Sequence, residues 1–107
     1  MTTPGSVVPI ISRDYWFKIV EFLQQNWALI DPNESGVIVW FFEDTSGVFD
    51  EMMFPSVHEA EDALRRNGFR RHAEDRKAQK FIGVPKPPFH RQPHPNGVIY
   101  SSGRFWK

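Results

Sequence analysis

Apolar and polar positions divide the 107-residue chain into distinct blocks. From Trp16, apolar residues recur at Ile19, Val20, Leu23 and Trp27, the i, i+3, i+4, i+7 spacing of one helical stripe. Lys18, Glu21, Gln24 and Gln25 occupy the other side, Ser12 offers a capping oxygen, and Asp14 suits the positive end of a helix. The spacing predicts a helix over Arg13 to Asn26, with Asp31-Pro32-Asn33 and Gly36 in the loop that follows. Val37 to Phe42 is β-branched and aromatic throughout, which predicts a strand apolar on both faces and therefore central or covered on each side. Glu43-Asp44-Thr45-Ser46-Gly47 is a turn cluster, and Val48 to Phe54 is the return strand of a hairpin ended by Pro55.

Ser56-Val57-His58-Glu59 is a capping box, in which Ser56 caps and Glu59 reaches back. Val57, Ala60, Ala63 and Leu64 form a narrow apolar stripe, and Asn67-Gly68-Phe69 supplies a glycine stop followed by an apolar residue. These signals predict a helix from Val57 to Asn67, with Phe69 to Glu74 leaving it as a strand. Ala78 to Val84 fits a further short strand. Five of the nine prolines crowd between Pro85 and Pro95, a stretch too rich in proline for a helix or a central strand. Val98 to Ser101 fits another short strand, and Ser102-Gly103 a turn into Arg104-Phe-Trp-Lys107. The expected fold is α+β: a small antiparallel sheet, built from the hairpin plus further strands, with two helices on one face and a proline-rich C-terminal arm. One domain spans 1–107, with 1–11 an extended lead-in and 85–97 the arm.

Composition narrows the function classes. Hydrophobic residues make up 40% and charged residues 24%, too apolar for wholesale disorder. There is no cysteine, which excludes a disulfide scaffold, a thiolate zinc site and a thiol nucleophile, and fits a cytoplasmic protein. The opening residues show no secretory signal pattern. The longest apolar run is Val37 to Phe42, far short of the roughly 20 residues a membrane helix needs, so no membrane partner is expected. Aromatic residues reach 15%, enough to close a small core with few side chains.

Charge changes the picture further. The formal total is zero, yet residues 1–62 hold two basic and 11 acidic residues, net −9, and residues 63–107 hold 11 basic and two acidic, net +9. If the fold keeps this segregation, the C-terminal half presents a basic face to an acidic partner. If the two halves interleave, the charges cancel locally. The candidate contact residues are Arg65, Arg66, Arg70, Arg71, Arg91, Arg104 and Trp106.

The first expectation is a small non-catalytic binding or accessory protein whose basic, aromatic C-terminal half meets an acidic protein surface, or a second copy of itself by self-association. A second is a single-stranded nucleic-acid binder. Phe69 precedes Arg70 and Arg71, Phe89 precedes His90-Arg91, and bases stack on exposed rings set among cations. A third is a small metal-dependent hydrolase using Glu43, Asp44, Asp50 and Glu51 around the hairpin turn with His90 or His94. His90 and His94 are four apart, but Pro93 forbids the helix that would align them, so no metal ligand, catalytic residue or cofactor is assigned. Pro85-Lys-Pro-Pro88 also matches the minimal PxxP ligand pattern.

Overall fold

A computed structural model describes residues 6–21 and 24–91. Their strands are β1 (Val7–Val8), β2 (Trp16–Glu21), β3 (Gln24–Asn33), β4 (Gly36–Glu43), β5 (Gly47–Phe54), β6 (Arg70–Arg71) and β7 (Phe89–Arg91). Two helices, α1 (Val57–Arg66) and α2 (Arg76–Phe81), and a single 3-10 turn at His72–Glu74 complete them. The seven strands form one sheet in the order β1-β7-β5-β4-β3-β2-β6. Strands β2 to β5 follow one another as an antiparallel meander, and β7 lies parallel to β5 and antiparallel to β1. The fold is thus α+β and sheet-rich, but the sheet is mixed rather than wholly antiparallel.

The helix expected over Arg13 to Asn26 is instead the β2–β3 hairpin. The reason lies in a sheet covered on both faces. Trp16 packs with Ala28, Val39, Phe41 and Leu64 on one face, while Phe17 packs with Trp27, Leu29 and Phe42 on the other. Alternate residues are therefore apolar in both registers, and the period of two that marks a half-buried strand disappears. Trp16 and Trp27, joined in one helical stripe by spacing, lie on opposite faces.

Asp31, Pro32 and Asn33 also belong to strand rather than loop, and the turn is only Glu34-Ser35. Pro32 is tolerated because pairing with β2 begins at Ala28, so this part of β3 lies beyond the β2 ladder. The Asn33 carboxamide accepts the Ser35 amide at 2.9 Å. Gly36 adopts φ +152°, and a Cβ there would come within 2.4 Å of the Phe54 carbonyl oxygen, so only glycine fits.

The β4–β5 hairpin and α1 follow the sequence closely. β4 holds the middle place in the sheet, and Val37, Val39 and Phe41 face α1 while Phe42 faces away. Ser56 caps α1 by accepting the Glu59 amide, and Ala60, Ala63 and Leu64 bury against β4 and β5. The second helix is a correction in both kind and place. Ala78 to Val84 begins inside α2, where the Asp75 carboxylate caps by accepting the Ala78 amide at 3.0 Å. Ala78 then packs with Tyr15, Trp27 and Phe89 on the face opposite α1. The helices cover both faces, which is what a sheet apolar on both sides requires.

Beyond α2 the proline-rich stretch is fastened to the sheet. The buried Tyr15 hydroxyl donates to the Pro85 carbonyl at 2.7 Å, and burial pushes its ionisation above the usual phenol range. The Ser46 hydroxyl donates to the Lys86 carbonyl at 2.6 Å. The arm then enters the sheet as β7, with β1 on its outer side. The lead-in is held in turn by buried Asp31, which accepts the amides of Ile11 and Ser12 at 2.9 and 2.7 Å. The strand expected at Val98 to Ser101, and the segment holding Arg104 and Trp106, lie outside the described residues.

Candidate functional site

Phe69 follows the glycine stop of α1 and buries against Phe41, which sends Arg70 and Arg71 along the outer edge of β2 as β6. In this antiparallel pair Trp16 faces Arg71 and Phe17 faces Arg70. Side chains of opposed residues share a face of the sheet, so the two arginines part. Arg71 turns to the α1 face, where its guanidinium lies 5.3 Å from the centre of the Trp16 ring. Arg65, from the last turn of α1, lies 4.8 Å from the centre of the same ring.

Arg71 is consumed by its neighbours. It forms a two-pronged pair with Asp14, meets Glu61 at 3.1 Å and approaches Glu74 at 3.7 Å. Hydrogen bonding to the Asp14 carboxylate holds the guanidinium above its already high ionisation range. These partners come from three parts of the chain, and together they fasten β6 to α1 and to the segment that leads into β2. Arg65 has a looser contact with Glu74, at 3.5 Å with both side chains about half exposed. Contacts of that kind contribute about 0–1 kcal/mol.

Arg70 is the more exposed member. Its side chain is 74% exposed, and its ion-pair partner, Asp75 at 3.3 Å, already serves the start of α2. The Ala78 amide, with help from Arg70, holds the Asp75 carboxyl below its ordinary range. Two open grooves meet at Arg70. One, of about 310 Å³, is lined by Arg65, Phe69, Arg70, Arg71, Glu74 and Asp75. The other, also about 310 Å³, is lined by Phe17, Lys18, Ile19, Gly68 and Arg70, with no carboxylate among them.

Of the arginines singled out by sequence, the structure brings Arg65, Arg70 and Arg71 to one groove. Arg66 sits exposed at the end of α1. Arg91 is elsewhere: it lies on β7, 2.8 Å from Glu51 and 5.6 Å from the centre of the Trp40 ring. Arg104 and Trp106 are outside the described residues. Segregation by sequence therefore survives only in part, since Asp14, Glu51 and Glu61 from the acidic half neutralise Arg71 and Arg91. Lys18 and Ile19 were missed as site residues because the helical assignment put Ile19 in the apolar stripe and Lys18 on the opposite side, rather than both beside β6.

The hairpin carboxylates are dispersed. Asp44 accepts the Trp27 indole N–H at 2.9 Å, Glu51 pairs with Arg91, and Asp50 is buried with an oxygen on the Glu51 amide. Among the described residues no three His, Asp or Glu side chains converge as metal ligands. Phe69 and Phe89, the rings expected to stack on bases, are both core residues. Pro85 is buried with its carbonyl bonded to Tyr15, so the PxxP pattern does not present a free ligand. No helix among the described residues is long and apolar enough to cross a membrane. Family models, curated proteins and solved structures yield no match to this chain.

Proposed function

We propose that this chain is a small non-catalytic binding protein, acting in the cytoplasm, that takes an acidic protein segment along the β6 edge of its sheet. The supporting observation is Arg70, which stands mostly exposed where two grooves meet, with Lys18 on the carboxylate-free side. Arg71 and Trp16 give this edge a fixed frame, and positive charge comes from Lys18 and from Arg70, which is mostly exposed despite its pair with Asp75. A protein partner is favoured over a single-stranded nucleic acid because the neighbouring rings are buried and offer no stacking surface.

The test is a paired titration of the whole chain by fluorescence anisotropy, with a labelled oligoglutamate peptide and a labelled oligothymidylate. The peptide is expected to bind more tightly, with affinity falling as salt rises, and Arg70→Glu is expected to weaken it at least tenfold. Preferential binding of the oligonucleotide, or peptide binding indifferent to Arg70→Glu, overturns the proposal. Sedimentation at low and high salt identifies a partner that is a second copy of the chain, through a dimer that dissociates as salt rises.

A further inference from the structure

β6 covers only Trp16 and Phe17 of the strand it borders, so the outer edge of β2 is bare from Lys18 onward among the described residues. The direction of its backbone groups follows from one bond. The Tyr15 carbonyl accepts the His72 amide at 2.8 Å, toward the β6 side. Backbone groups of alternate strand residues point the same way, so Phe17 and Ile19 also direct N–H and C=O to that side. Phe17 is met by Arg70, whereas at Ile19 the chain has already turned away: the Gly68 amide donates to Arg65 in the stop of α1. Ile19 thus holds a donor and an acceptor toward an open groove, and the residue is 61% exposed.

We infer that the acidic segment binds as an added strand on this edge, in an extended form that alternates acidic and apolar residues. This inference rests on the binding function proposed above and gives it a geometry. Side chains of an extended segment alternate sides at every residue. Ile19 and Arg70 lie on one side of the edge and Lys18 on the other. An apolar residue set over Ile19 therefore places both of its neighbours on the Lys18 side, where carboxylates are matched. On that side the carboxylates meet Lys18, and no anion lines the groove, which selects acidic over basic partners. Main-chain pairing would supply affinity and the alternation would supply specificity.

The experiment compares three synthetic octapeptides on the intact chain: alternating Glu and Val, the same peptide N-methylated at each Val, and a block isomer with four Glu followed by four Val. The alternating peptide is expected to bind at least tenfold more tightly than either control and to slow exchange of the Ile19 amide at least tenfold. Equal binding of the N-methylated peptide, or an unchanged Ile19 amide, overturns strand addition while leaving an acidic partner in place. Equal binding of the block isomer overturns the alternation. Failure of all three peptides to bind overturns strand addition and the acidic-partner function together.

Discussion

Toward each end of the sheet a short strand carries an arginine that lies over a tryptophan and meets a carboxylate. At one end Arg91 of β7 covers Trp40 and pairs with Glu51. At the other, Arg71 of β6 covers Trp16 and pairs with Asp14 and Glu61. The chemistry is shared, yet the outcomes differ. β7 has a strand on both sides, so its arginine closes a finished region. β6 is two residues long and outermost, so its arginine anchors an edge that is only partly covered. The adjacent Arg70, one residue away and on the opposite face, stays exposed. The difference teaches that arginine count alone does not define a binding surface. What matters is which guanidinium remains once the internal carboxylates have been assigned.

The largest expected effect separates the two tryptophans. Trp16 is fully buried beneath two guanidinium groups, and Trp16→Ala is expected to cost about 3–5 kcal/mol in urea denaturation. Trp40 is only partly buried, so Trp40→Ala should cost clearly less. Equal losses would show that the two ends are built with the same rigidity, and the contrast would fail.

The next effect separates neighbours on β6. Arg71→Ala leaves three carboxylates without their common partner, and a loss of about 1.5–3 kcal/mol is expected. Arg70→Ala should stay within about 0.5 kcal/mol of the parent protein, as for an exposed side chain. A large stability loss at Arg70 would make it a structural residue and remove the main support for the binding edge.

The smallest effect is acid-dependent. Asp75 has a folded ionisation below its unfolded value, so its contribution is complete above the unfolded carboxyl range, near pH ~4, and is lost as pH falls through the lower folded value. Amide exchange in α2 is therefore expected to accelerate on acidification, after correction for the intrinsic rate. Asp75→Asn keeps a capping oxygen but has no charge to lose, and should abolish that acceleration. Persistence of the effect in this variant would assign it to another group.

Much of the central fold is legible in the sequence because its signals are local. The capping box at Ser56 and Glu59, the stop at Gly68 and the apolar block of β4 each describe their own element. The β2–β3 hairpin was obscured because both faces are buried: Trp16, Ile19, Val20, Leu23 and Trp27 mimic a helical stripe, and Phe17 lies outside it. For α2 a cue was present, with Asp75 able to cap a run of helix formers, Arg76 to Lys80. The β-branched Ile82 and Val84 outweighed it and extended the segment as strand. The site was less legible still. That Arg71 meets Asp14 across 57 positions, while Arg70 stays exposed, depends on β6 docking beside β2, which no local spacing encodes.

The pairing of β1 with β7 has a consequence for the order in which the chain acquires its structure. Val7 opposes His90 and Val8 opposes Phe89, so this pairing joins segments more than 80 positions apart in a chain of 107. The β2–β5 meander needs only short turns to close, whereas the β1–β7 contact must wait for nearly the whole chain to be gathered. That end of the sheet is expected to assemble last. During synthesis, a meander able to form early would stand with its β5 edge unprotected until the residues of β7 arrive.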